Sequence, residues 1–143
     1  MKRSFATAAW FAAALGAAIL QPSIVGSASA HDAETVKQIF SQHLPNVPGN
    51  SLTAFVVEYA PGGKGEAHHH SGSVFAYVLE GEIRSQISDG QPAKVYKAGE
   101  FFYEPPGSGH LVSENASATK PAKLLAVFVA DDAAVLTAPG VAN

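Results

Sequence analysis

An all-β sandwich or barrel is the fold class this sequence predicts, and three observations predict it. Short runs rich in β-branched and aromatic residues follow one another at close, even intervals from Leu52 to Ala130. Between them, turn residues recur: Gly81, Asp89-Gly90 and Pro105-Pro106-Gly107. The chain contains no cysteine, so its stability must come from buried apolar surface, and roughly 110 residues behind the N-terminal segment suffice for one core.

The first segment, residues 1–30, carries Lys2 and Arg3, then an apolar run around Phe5 to Leu20, then Ala28-Ser29-Ala30. A basic start, an apolar middle and small residues before a cleavage point are the order of a secretory signal peptide. A membrane-spanning helix is the alternative. The short apolar run, Pro22 behind it and the lack of flanking stop-transfer charges oppose that alternative. Cleavage would leave a secreted or periplasmic chain from His31 to Asn143. Seven basic residues then stand against twelve acidic ones, and the net charge moves from −3 to −5. With no basic patch, nucleic acid is not an expected partner.

Residues 31–51 read as a short N-terminal helix and linker. Asp32 can cap, Val36, Ile39 and Phe40 fall at the i, i+3, i+4 spacing of one buried face, and Leu44 to Asn50 holds two prolines and a glycine. A free N-terminal His31 can chelate copper through its amine and ring, but no dedicated partner accompanies it, and a loose end is the plainer expectation.

Residues 52–130 form the expected β domain. Its strands are Leu52 to Tyr59, Val74 to Glu80, Glu82 to Ser88, Lys94 to Lys97, Phe101 to Glu104, His110 to Glu114 and Lys123 to Ala130. Phe55, Val57 and Tyr59 share one face of the first, with Val56 opposite, so this strand is apolar on both sides. That suits packing inward against the interior and outward against the helix or a second subunit, and a homodimer is expected. Residues 131–143, with Pro139 and Gly140, read as a loose tail or an arm lying over a neighbour. Asn115-Ala116-Ser117 matches a glycosylation sequon, a weak signal by itself.

Four of the six histidines lie in two stretches, around 62–81 and 99–115. On a strand, residues two apart point to the same face, so His68 and His70 face one way and His69 the other. His110 follows the Pro105-Pro106-Gly107 turn at the end of another apolar run.

These two stretches resemble the paired motifs of the cupins, small β-barrels. The first motif, G-x5-H-x-H-x3,4-E-x6-G, is met by Gly62, His68, His70 and Gly81. The second, G-x5-P-x-G-x2-H-x3-N, is met by Gly99, Pro105, Gly107 and His110, with Asn115 one place late. The resemblance covers about Leu52 to Ala130 and implies a small single-domain cupin of the conserved-barrel kind, a double-stranded β-helix with jelly-roll-like strands. It further implies metal ligation by His68, His70 and His110. The position where the family usually carries a metal-binding glutamate is Val74, so the ligand set resembles that of the three-histidine cupins, some of which are iron-dependent oxygenases.

Three neutral imidazoles suit divalent Fe, Cu, Ni, Mn or Zn, and the resemblance favours Fe. Without a carboxylate they leave the ion's charge uncompensated, which favours an anionic ligand such as an enolate, a phenolate or a carboxylate. Three protein ligands also leave open coordination positions, as catalytic sites do. Glu104, just before the Pro-Pro-Gly turn, is the candidate fourth ligand or general base if it points inward. Its orientation is not readable, because Phe101 to Glu104 is apolar on both faces. Phe75, Tyr77, Phe101, Phe102 and Tyr103 are expected in the core or cavity wall. Tyr103, with Tyr77, is the aromatic candidate for a catalytic role, since a buried phenol needs a partner. Arg84 or Gln86 is expected to line the cavity.

Two functions follow. One is an exported metalloenzyme of the dioxygenase-like or isomerising kind, acting on a small anionic organic molecule. The other is a non-catalytic cupin that binds or senses a small ligand or a metal. A structural dimer with a vestigial site is the blandest case.

Overall fold

The computed structural model describes residues 33–141. The leader read over residues 1–30, His31 and the capping residue Asp32 lie outside the described residues.

Ten strands form two five-stranded sheets. They are β1 (Glu34–His43), β2 (Asn50–Tyr59), β3 (His68–His70), β4 (Ser73–Glu80), β5 (Glu82–Ile87), β6 (Lys94–Lys97), β7 (Phe101–Glu104), β8 (Gly109–Asn115), β9 (Ala122–Asp131) and β10 (Thr137–Pro139). The sheet orders are β1-β2-β9-β4-β7 and β10-β3-β8-β5-β6. Every pairing is antiparallel, and consecutive strands repeatedly cross from one sheet to the other. This is the double-stranded β-helix. Among the described residues no helix is long and apolar enough to cross a membrane.

Alternation builds the core. On β9, Ala122, Leu124, Ala126, Phe128 and Ala130 face in, and the residues between them face out. Val74, Ala76 and Val78 of β4, Ile83 of β5 and Phe102 of β7 meet them between the sheets. The β4–β5 turn depends on Gly81, whose φ of 72° is left-handed and where a Cβ would sit 2.6 Å from the Pro121 carbonyl oxygen.

Two expectations are corrected. The segment read as an N-terminal helix is strand β1, paired with β2 from Glu34↔Tyr59 to His43↔Ser51, and Leu44 to Gly49 is the hairpin loop joining them. A β-bulge between Gln38 and Phe40 produced the misleading spacing, since the extra residue Ile39 breaks the two-residue alternation and imitates a helical period. The ten-residue β2 would otherwise present an unpaired edge, and β-branched Thr35, Val36 and Ile39 suit the strand that covers it. The tail, in turn, is not loose. Its strand β10 pairs with the histidine strand β3 through Thr137↔His70, Ala138↔His69 and Pro139↔His68.

Candidate metal centre

The ladder between β3 and β8 sets His68 directly opposite His110. His70 lies on the same face of β3 as His68, and the three side chains offer ligand atoms all within 4.8 Å of one another. His70 and His110 are buried, and His68 is half-buried at the mouth. His69 points away and donates its Nδ1–H to the Gly140 carbonyl at 3.0 Å.

Each clustered ring is held by the nitrogen it turns away from the others. His68 Nδ1 donates to the Glu66 carbonyl at 2.6 Å, and His70 Nδ1 lies 3.1 Å from both the Leu136 carbonyl and Thr137 Oγ1. His110 Nε2 lies 2.9 Å from Ser85 Oγ. With protons on the two Nδ1 atoms, His68 Nε2 and His70 Nε2 face each other as bare lone pairs only 3.1 Å apart. Such an approach requires a proton or a cation between them.

Glu104 completes the group from the opposite sheet. It points inward, is only 2% exposed, and places Oε2 3.3 Å from His110 Nδ1 and 3.7 Å from His70 Nε2. That oxygen is buried with no hydrogen-bond partner among the described residues. Buried polar atoms are normally satisfied, so an orphaned carboxylate oxygen aimed at converging imidazole nitrogens fits a cation held by three nitrogens and one oxygen. Burial pushes the Glu104 carboxyl up to about 7. Burial first, then the neighbouring histidine charges, pushes His70 down to about 4 and His110 down to about 3. The buried imidazoles therefore stay neutral at physiological pH, the form that ligates metal.

The cluster occupies one end of a cavity of about 410 Å³ between the sheets. Its walls are apolar, with Phe55, Val57, Phe102, Leu124 and Phe128 prominent among them. The buried phenol with a partner is Tyr59, whose hydroxyl lies 2.7 Å from Ser113 Oγ and whose pKa burial and the nearby Glu34 push up.

The structure corrects several expected roles. Tyr103 is not in the cavity: β7 alternates Phe102 and Glu104 inward with Phe101 and Tyr103 outward, and Tyr103 is 53% exposed with its hydroxyl 2.9 Å from Ser73 Oγ. Phe75 and Phe101 are likewise on the outer face. On β5 neither Arg84 nor Gln86 lines the cavity. Ser85 faces in to meet His110, while Arg84 pairs with Glu114. Asn115 is not free for a glycan. It is buried, donating Nδ2–H to the Ala60 and Lys120 carbonyls at 3.0 and 2.7 Å and accepting from the Ser117 amide at 2.9 Å.

Sequence reasoning missed Ser85, Leu136 and Thr137. Ser85 was findable, because alternation from buried Ile83 puts it inward, whereas nothing local marks Leu136 or Thr137. A second cluster, Ser51, His43 and Asp132, has triad composition but not triad geometry. Ser51 Oγ donates straight to Asp132 Oδ1 at 2.6 Å, and both meet the same nitrogen, His43 Nδ1, at 3.0 Å. A nucleophile needs the other ring nitrogen as its base, so this exposed group ties strand ends together.

Fold and site together define a small double-stranded β-helix barrel with a histidine-lined, apolar-walled cavity. The cupin domain family model matches residues 55–128, more than half of the chain, and the chain belongs to the cupin family. No curated protein matches it. Solved structures do. The DMSP lyase DddQ from Ruegeria pomeroyi superposes with a TM-score of 0.61 at 19% identity, over 76% of this chain and 52% of that one. An uncharacterized conserved protein with a double-stranded β-helix domain from Klebsiella pneumoniae gives 0.58 at 18% identity, over 79% of this chain and 95% of that one. An oxalate oxidase in complex with the substrate analogue glycolate gives 0.55 at 22%, over 76% and 58%. The chain thus spans about half the length of the lyase and of the oxalate oxidase, and nearly all of the Klebsiella protein. At these identities the likeness is one of fold.

Proposed function

We propose that this cupin is a metal-dependent enzyme that holds a divalent ion, iron foremost, through His68, His70 and His110 with Glu104 beside it, and oxidises or isomerises a small anionic organic molecule. The observation that carries this reading is the orphaned Glu104 Oε2, buried against two imidazoles in the wall of a cavity large enough for a small ligand. Bound there, a divalent ion supplies Lewis acidity, and iron adds redox capacity toward dioxygen.

The chain's own residues do the rest. The carbonyls of Glu66 and Leu136 and the hydroxyls of Thr137 and Ser85 fix the three rings, so the donor atoms need little reorganisation on binding. Glu104, the buried carboxyl beside the rings, is the group placed to take a proton from an acidic C–H or O–H of the substrate and return it at another atom. The apolar walls exclude water and strengthen every charge interaction at the cluster. In the same reading residues 1–30 are removed on export, the mature chain works in the periplasm or outside the cell, and two barrels pair through their outer faces.

The test is the metal content of untagged His31–Asn143 purified from its export compartment, with His70→Ala and His110→Ala beside it. Near-stoichiometric Fe, Cu, Ni or Mn in the parent and its loss in both variants is the expected result. An empty parent that also refuses added metal would overturn the metalloenzyme and leave a ligand-binding or sensing barrel. A loaded parent inert toward enolic, phenolic and carboxylic acids under oxygen would leave the metal-binding module without the enzyme.

A further inference from the structure

Among the described residues, the cavity walls contain no lysine and no arginine, although the fold carries cations close by. Lys64 and Arg84 are both engaged by Glu114, and neither borders the cavity. Carboxylates do border it: Glu104, buried against the histidines, and the more exposed Glu34 and Glu66, with Glu66 two residues before His68. Aliphatic and aromatic side chains, Phe55, Val57, Phe102, Leu124 and Phe128 among them, dominate the rest of the wall, and the hydroxyls of Tyr59 and Ser113 are engaged with each other.

This distribution decides how much negative charge a ligand can bring. A divalent ion shared with the Glu104 carboxylate leaves one positive charge, enough for one anionic donor. A second anionic group, reaching away from the ion, would meet apolar walls, neutral hydroxyls or the Glu34 and Glu66 carboxylates and find no cation. Burying an unpaired charge is costly, and like charges brought together add to that cost. An apolar body meets the opposite conditions, since the same walls reward it for leaving water.

Resting on the metal reading above, we infer that the site is built for a monoanion with an apolar body, a phenolate, enolate or monocarboxylate of roughly phenyl size, and selects against short dicarboxylates. Specificity then comes from the walls and from the acidic mouth, and the histidines contribute only the anchor.

The experiment uses untagged protein loaded with Co²⁺, whose visible spectrum reports ligands entering the metal's coordination. Phenylacetate is titrated against malonate and oxalate at neutral pH. Cobalt stoichiometry is measured first, so failure of the metal reading appears before any anion is added and takes this inference with it. With cobalt bound, phenylacetate should perturb the spectrum at concentrations at least about tenfold lower than malonate or oxalate. The rim variant Glu34→Gln with Glu66→Gln should tighten malonate severalfold and leave phenylacetate within about twofold, because only the dianion meets those charges. Dicarboxylate binding as tight as or tighter than phenylacetate binding would overturn the inference, as would a spectrum that neither anion changes.

Discussion

Val74 and Glu104 are paired across β4 and β7, Cα partners in the antiparallel ladder with both side chains turned into the cavity. Val74 stands where the cupin motif usually carries its metal-binding glutamate, so the carboxylate this strand lacks is presented by the residue directly opposite. Cross-strand neighbours on one face lie about 5 Å apart at Cβ, a distance a glutamate side chain spans.

That pairing yields the first prediction. Glu104→Gln should weaken metal binding at least about tenfold, since changing a group that orients or shares the ion is felt on that scale. Moving the carboxylate back, with Val74→Glu and Glu104→Val together, should recover most of the loss. Competition with a chelating dye measures both. Equal affinities for parent and Glu104→Gln would remove Glu104 from the site.

The C-terminal strand should matter to the metal and not only to the fold. The Leu136 carbonyl fixes the proton on His70 Nδ1 and leaves Nε2 free to face the cluster. Truncation after Ala133 removes that carbonyl together with β10, and should therefore cost about 10- to 100-fold in metal affinity. Leu136→Ala separates the causes: it removes a side chain packed against the core but keeps the carbonyl, so it should lower thermal stability with little change in metal affinity. Parallel losses in both variants would mean that the tail acts by packing alone.

The sequence displayed the histidines because their geometry is local: two residues apart on a strand, and a third after a marked turn. Glu104 was hidden because β7 is apolar on both faces, and its outer Phe101 and Tyr103 erase the alternation that would have shown Glu104 facing in. The β1 strand was misread because one bulged residue, Ile39, imitates a helical period. The β10 strand left no trace, since its three residues include a proline and its partner β3 is some seventy residues away. Contacts made through backbone carbonyls carry no residue code, and so Leu136 could not be found in advance.

The buried site also sets a pH profile for metal-stripped protein. Glu104 is raised from 4.5 to about 7, so the folded state keeps a proton the unfolded chain sheds; its contribution is full below about pH 4.5 and is lost as pH rises through 7. His70 and His110 are lowered from 6.5 to about 4 and about 3; their contributions are full above 6.5 and are lost as pH falls through those values. Two histidines outweigh one carboxyl on the acid side, so stability should peak near neutrality. In Glu104→Gln the falling contribution of this carboxyl between about pH 4.5 and 7 should vanish, a relative gain on the order of a few kcal/mol at pH 8. Urea midpoints across pH measure this. A variant whose profile parallels the parent's would show that the carboxyl titrates normally.

The last prediction concerns the outer face of the first sheet. Phe75 and Phe101 lie with ring centroids 5.6 Å apart, and Tyr103, Leu79 and Val129 extend the same surface, with Phe101 61% exposed. Clustered apolar groups of this kind seldom remain in water on a soluble protein, and a symmetric pair of barrels would cover them with no new element. This places the contact more toward β4 and β7 than the β2 face that the sequence suggested, because Leu52 and Val56 are already half-covered by the strands beside them. The parent should sediment as a dimer. Phe101→Asp should halve its mass while leaving metal content unchanged, since the residue points away from the histidines. A parent that is monomeric at every concentration would sink the pairing, and loss of metal on dissociation would show instead that the interface supports the site.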